Sequence, residues 1–165
     1  MFIWQLRLAA ERNLPVSIHC LQAWGLLHKI LRHEPAPACG FLLHSYGGPV
    51  EMVKSFADLG AYFSLPGYFA HERRRRQRDT FKHVPPDRLL LETDAPDQRL
   101  PDENNRFPLT DKQTGAPLNH PANIAAVYEF AAELLGEPVG SLAERVEANF
   151  LRWFRSHSRP GTGPS

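Results

Sequence analysis

Apolar residues recur at helical spacing from the first turn of the chain. Phe2, Leu6, Ala9 and Ala10 share a stripe, with Arg7, Glu11 and Arg12 between them. This predicts a helix over residues 2–13, stopped by Asn13-Leu14-Pro15. It starts without a cap or leader, as a sequence does when it begins inside a domain. Val16-Ser17-Ile18-His19 is a short β-prone run. A helix follows over residues 22–33, with Trp24, Leu27, Ile30 and Leu31 on one face, and Glu34-Pro35-Ala36-Pro37 breaks it. Residues 40–44 read as a second strand, apolar until His44. Residues 49–59 read as a helix opened by Pro49 and closed by Gly60, and residues 61–65 as a third strand. A helix over 70–82 carries the run Arg73, Arg74, Arg75, Arg76, and residues 88–94 form a fourth strand that turns acidic at Glu92 and Asp94.

The next segment, residues 95–118, is polar, aperiodic and holds Pro96, Pro101, Pro108 and Pro117. Loops of that length inside a domain are usually functional or mobile. A helix is expected from Pro121, with Ile124, Val127, Tyr128, Ala131 and Leu135 inward and Gly136 as its stop. Ser141-Leu142-Ala143-Glu144 reads as a capping box opening a last helix, with Leu142, Val146, Phe150 and Trp153 inward. The Ser-, Gly- and Pro-rich residues 156–165 are expected to form a disordered tail, leaving 1–155 as the folded unit.

The order α-β-α-β-α-β-α-β-loop-α-α predicts an α/β fold, with about four parallel strands and flanking helices. The strands are apolar without alternation, as in a sheet buried on both faces. Such a set is either a small open sheet or half of an eight-stranded barrel.

Composition narrows the class only a little. The 165 residues are 42% hydrophobic and 22% charged, with a net charge of +1. That is ordinary for a globular protein and gives no global reason to expect nucleic acid or an anionic membrane. Two cysteines, Cys20 and Cys39, are too few for a secreted disulfide scaffold. No apolar run approaches the roughly 20 residues of a membrane span. No membrane partner is expected, and a cytoplasmic location is the default.

Three strands end in a residue able to bind a metal: His19, His44 and Asp94. The carboxyl ends of parallel strands share one rim, where ligands bind. Two imidazoles and a carboxylate there suit a divalent ion and leave coordination positions open. The ordinary reading of one such His is a hydrogen-bonded structural residue; three at equivalent positions favour ligation. Glu92 lies two residues before Asp94, on the same face of the strand. It is either a second acidic group at the site or a partner in an ordinary salt bridge. The arginine run, with Arg78, reads as a solvated helix face, since no aromatic residue interleaves it. Cys20 reads as a small buried filler beside His19. Asn119 and His120 either face the site or, in the case of His120, cap the helix that begins at Pro121.

Several of these segments resemble the TatD-type deoxyribonucleases. Leu91-Glu92-Thr93-Asp94-Ala95-Pro96 resembles that family's LETDAP signature. Pro15 to Cys20 and His44-Ser45-Tyr46-Gly47-Gly48 resemble its motifs on strands five and six. Asn119-His120-Pro121 resembles its Asn-x-Pro, and Asn149 with Phe150 and Phe154 its closing helix. The resemblance covers about residues 2–154. It implies a partial TIM-like (β/α) barrel of the metal-dependent hydrolase superfamily, here the C-terminal portion with strands five to eight. It implies a divalent ion (Mg2+, Zn2+ or Mn2+) held by His19, His44 and Asp94. Asp94 would also take a proton from water, and Glu92 would be a supporting acidic residue. The implied activity is metal-dependent hydrolysis of ester bonds, chiefly DNA phosphodiesters cut 3′ to 5′, with other esters as substrates of some members.

The chain departs from the family pattern in holding no His-x-His pair. The expectation is therefore a site incomplete in this chain, completed by a longer reading frame or by a companion chain that supplies strands one to four. The alternative is a non-catalytic α/β fragment or half-barrel assembly module. A complete small open-sheet protein ranks last, because no glycine-rich phosphate loop or acidic cluster follows the first strand.

Overall fold

The computed structural model covers the whole chain and describes residues 1–154. The expected tail at 156–165 lies outside the described residues. Four parallel strands, β1 (Val16–His19), β2 (Phe41–His44), β3 (Ala61–Pro66) and β4 (Leu89–Glu92), pair in the order β1-β2-β3-β4. The α/β class and the four-strand count agree with the sequence reading.

Helices connect the strands. α1 (Phe2–Arg12) precedes β1, α2 (Trp24–His33) lies between β1 and β2, α3 (Val53–Asp58) between β2 and β3, and α4 (Arg75–Thr80) between β3 and β4. The long segment after β4 contains a small antiparallel hairpin, β5 (Leu109–Thr110) with β6 (Pro117–Leu118). α5 (Ile124–Leu135) and α6 (Val139–Phe154) close the described chain. Among the described residues no helix is long and apolar enough to cross a membrane.

The sheet is buried at its centre. Every residue of β3 is buried, as are Phe41, Leu42 and Leu43 of β2, whereas edge strand β1 buries only Ile18. On one face Phe63 meets Tyr46 at 5.1 Å between ring centroids, and Tyr46 meets Trp24 at 4.7 Å and Phe56 at 6.2 Å. Tyr62, the next residue on β3, instead meets Trp153 of α6 at 6.2 Å. Both faces are thus covered near the middle of the sheet, which is why these strands read as unbroken apolar runs. A cavity of about 620 Å³ lies between Leu42, Ser64 and Leu90 of the sheet and Tyr128, Phe150 and Trp153 of the last helices.

Several boundaries differ from the sequence pattern. The expected helix over 70–82 is broken into 3-10 turns at Gly67–Ala70, Glu72–Arg74 and Phe81–His83 around the short α4. Pro49 opens a 3-10 turn, Val50–Met52, before α3. Ser141 does not cap α6. That helix starts two residues earlier, and the Leu142 amide already donates to the Pro138 carbonyl at 3.0 Å. Phe150 does not face the core, being 43% exposed; Asn149 is buried in its place. The Asn149 amide donates to the carbonyls of Pro86 and Leu89, both at 2.9 Å, and so ties α6 to the start of β4. An apolar stripe cannot reveal a buried amide whose partners are backbone carbonyls.

Two glycines seat the starts of β2 and β3. Gly40 has φ +86, and a Cβ there would lie 2.3 Å from the Gly60 carbonyl oxygen. Gly136, the cap of α5, has φ +69 but open space around it. Gly136→Ala should therefore cost about 1 kcal/mol, the left-handed backbone alone. Gly40→Ala should cost clearly more, because backbone must also move. Asn149→Ala should cost about 1–3 kcal/mol through its orphaned carbonyls. Denaturant unfolding of the three variants checks this ranking.

Candidate metal centre

Parallel register brings the strand ends level. His19 of β1 pairs in register with His44 of β2, and Pro66 of β3 pairs with Glu92 of β4. The rings of His19 and His44 lie 5.6 Å apart, tilted by 44°. Beyond β4 the chain turns sharply, with Asp94 in the left-handed region at φ +58. An aspartate tolerates that conformation better than a branched residue. The turn swings its carboxylate back across the sheet edge to His44.

The result is a chain of short contacts centred on His44. Its Nδ1 lies 2.7 Å from Glu92 Oε2, and its Nε2 lies 3.3 Å from Asp94 Oδ1. The Ser45 hydroxyl donates to Glu92 Oε1 at 2.5 Å, and the Ser45 amide donates to the Ser64 hydroxyl at 3.1 Å. Gln98 donates from its amide to the other Asp94 oxygen. The Asn119 amide donates to the carbonyls of Thr93 (2.6 Å) and Gln98 (3.3 Å), which folds the long loop back under the acidic turn.

Burial alone would push the Glu92 pKa up. Hydrogen bonds from His44, Ser45 and Ser64 outweigh it and hold the carboxyl below its usual range. His44 is raised, chiefly by its hydrogen bond to Glu92, against a smaller opposing effect of burial. With Glu92 ionised and only accepting, Nδ1 of His44 carries the proton. In the neutral imidazole that leaves the Nε2 lone pair facing Asp94. A carboxylate fixing the far nitrogen of a histidine is the usual support of a metal ligand.

The donor set fits a divalent cation in chemistry and in one spacing. Two ligands at ordinary metal distances on one ion stand about 3.0–3.4 Å apart, and His44 Nε2 and Asp94 Oδ1 are 3.3 Å apart. The third group is not drawn in: His19 is exposed, and among the described residues no three His, Cys, Asp or Glu side chains converge to enclose an ion. Of the residues singled out in the sequence, His44, Glu92 and Asp94 are in direct contact and His19 stands beside them.

Cys20 packs partly buried against the core, with burial raising its pKa, as a filler would. The other candidates support the framework. His120 caps the turn before α5, its Nδ1 accepting from the Ala122 amide at 3.0 Å. Asn119 pins the loop. Ser64 and Gln98 carry no signal in the sequence, because isolated serines and glutamines have no telling spacing, and Ser45 enters it only as a member of the motif that begins at His44. Only the register and the Asp94 turn bring them to the carboxylates.

The comparisons with known proteins agree with this architecture. The model of the TatD related DNase family matches residues 1–155. The chain is 35% identical over 153 residues to the uncharacterized metal-dependent hydrolase YcfH of Escherichia coli (strain K12), covering 93% of this chain and 54% of that protein. It is 33% identical over 154 residues to the 3′-5′ ssDNA/RNA exonuclease TatD of Escherichia fergusonii, covering 93% and 56%. The crystal structure of YJJV, a TatD homolog from Escherichia coli K12, superposes with a TM-score of 0.76 at 29% identity, covering 92% of this chain and 54% of that one. An amidohydrolase from Saccharomyces cerevisiae shares the fold alone, with a TM-score of 0.74 at 17% identity and 93% and 58% coverage. The chain spans about half the length of the curated relatives it matches. Those relatives hold their remaining length in one polypeptide, which lends the companion-chain expectation no support.

The ion pair sets a pH window for the metal-free protein. Glu92, depressed on folding, adds stability above its unfolded pKa and loses it as pH falls through the folded value. His44, raised on folding, adds stability below its unfolded pKa and loses it as pH rises through the folded value. The pair therefore stabilises most between the depressed carboxylate and the raised imidazole. Glu92→Gln should flatten that dependence, and in NMR titration His44 should fall back toward an ordinary imidazole. An unmoved His44 titration would contradict the assignment of Glu92 as its partner.

Proposed function

Because the chain belongs to the TatD related DNase family, we propose that it carries the acidic half of a divalent-metal site that hydrolyses phosphodiesters. The substrate we propose is single-stranded nucleic acid, trimmed from its 3′ end, as the name of one relative describes for that protein. The observation that supports the reading most is the 3.3 Å His44–Asp94 spacing with Glu92 on the far nitrogen of His44.

His44 and Asp94 would hold the ion, with His19 joining by rotation at its exposed strand end. A divalent ion there withdraws charge from a phosphoryl oxygen and makes water a competent nucleophile near neutral pH. Asp94 has one oxygen toward His44 and the other held by Gln98. Asp94 would accept the proton of the attacking water. Glu92 is better read as a positioning residue than as a second acid or base, since it lies on Nδ1 of His44, the nitrogen away from the ion. Its role is to hold the proton of His44 on Nδ1, so that Nε2 is the nitrogen aimed at the ion and is the more basic donor for it. A cytoplasmic location is proposed on cysteine usage alone.

The second reading, a non-catalytic α/β module, draws on the open ligand set among the described residues. Metal titration separates the two. On the catalytic reading Mn2+ or Zn2+ binds the chain in titration calorimetry. Glu92→Gln weakens it about 10- to 100-fold, and His44→Ala and Asp94→Asn weaken it further. Release of nucleotides from a labelled single strand should require the ion and be lost in the same variants. Binding or hydrolysis indifferent to His44 and Asp94 would leave the non-catalytic reading standing.

A further inference from the structure

The arginine run does not behave as a single solvated helix face. Arg75 and Arg78 are matched by acids of their own segment: Arg78 pairs with Glu72 at 2.8 Å, and Arg75 lies 3.8 Å from both Glu72 and Asp79. Arg73 and Arg74 turn away, to the loop that follows β3. Their guanidinium carbons stand 5.3 and 4.9 Å from the ring centroid of Tyr68. Both donate to the Tyr68 hydroxyl, at 2.9 and 3.4 Å. Among the described residues neither forms an ion pair, so two guanidinium groups share one neutral oxygen.

Arg99 lies alongside. His71 holds its carbonyl at 3.1 Å, and its guanidinium reaches Asp102 at 2.5 Å. The Nε atoms of Arg74 and Arg99 are both buried with no hydrogen-bond partner among the described residues. Buried guanidinium nitrogens without an acceptor are uncommon. A cavity of about 330 Å³ lies between Tyr68, His71, Arg73, Gln98, Arg99 and Asp102. Arg73 and Arg99 line it together with Asp97 and Asp102, and Arg74 lies over the ring of Tyr68, which also lines it. Arg99 is paired with Asp102, whereas Arg73 and Arg74 have no carboxylate partner among the described residues.

The cavity is joined to the candidate metal centre. Gln98 lines it and also holds Asp94. Tyr68 follows Pro66, the register partner of Glu92, and so sits on the same rim of the sheet. Guanidinium forks suit a tetrahedral oxyanion, which accepts several N–H groups at once.

We propose that Arg73, Arg74 and Arg99, with Tyr68 positioning the first two, form a subsite for a backbone phosphate of single-stranded nucleic acid, next to the bond presented at His44 and Asp94. The proposal rests on the phosphodiesterase reading for its choice of ligand, and the tests keep the two apart. The subsite holds the strand by a phosphate that does not react, which gives affinity and register without reading bases.

Binding of a short fluorescent oligothymidylate to the full chain is measured by anisotropy in EDTA, so that the metal takes no part. The R73A/R74A variant should bind at least about tenfold more weakly at low salt. Its dependence of log affinity on log salt should flatten by about 0.7 for each phosphate that is no longer neutralised. R73K/R74K should recover part of the affinity, since charge returns without the fork. R75A/R76A, which removes the same charge from the neighbouring helix, should bind as the wild type does. The proposal is overturned if R73A/R74A binds like the wild type, if R75A/R76A weakens binding equally, or if the wild type shows no salt-dependent binding. Metal-dependent hydrolysis of bis(p-nitrophenyl) phosphate by the wild type reads the metal centre separately, because that diester has no neighbouring phosphate. If that hydrolysis is missing while arginine-dependent binding persists, the hydrolase reading falls and the subsite stands.

Discussion

In a parallel sheet every strand delivers its carboxyl end to the same rim, and the candidate site of this protein depends on that constraint. The register that sets His19 against His44 also sets Pro66 against Glu92. Residues as far apart in sequence as His19 and Glu92 thereby share one stretch of surface. The apolar packing beneath makes the register firm. Phe41, Leu43, Phe63 and Leu65 are fully buried, and sliding one strand by a residue would move each to the opposite face, against partners it does not fit. The polar rim is thus held in place by a core that has no chemical role of its own.

On that rim the largely buried carboxylate of Glu92 governs the rest. It is costly to bury and is compensated by His44, Ser45 and Ser64. Those hydrogen bonds fix the imidazole tautomer and leave Nε2 beside Asp94. The left-handed turn at Asp94 and the grip of Gln98 and Asn119 then determine where the second carboxylate points. The long loop after β4 is part of the same device, since Asn119 and Asn123 tie it back through buried amide contacts.

Much of this was legible in the sequence. The central strands stood out because both faces are covered, so Phe41 to Leu43 and Ala61 to Phe63 carry no polar residue and show no helix stripe. His19, His44 and Asp94 stood out because each ends such a run. What stayed hidden depended on contacts between distant segments. Glu92 could be placed on a face, but only the register shows that it faces His44. Asn149 interrupts an apolar stripe and so drew Phe150 inward by periodicity, although its amide is the group that reaches β4. The arginine run looked uniform, because nothing local marks that Tyr68, five residues before Arg73, draws two of its members away from the helix.

In the proposed site His44 and Asp94 present one edge to a divalent ion while Glu92 holds the far side of His44. Anomalous diffraction from crystals grown with Mn2+ tests it most directly. An anomalous peak is expected within ordinary ligand distance of both His44 Nε2 and Asp94, about 2.0–2.2 Å, with Glu92 still bonded to Nδ1. A peak on Glu92 instead, or no ordered ion at this rim under saturating Mn2+, would contradict it.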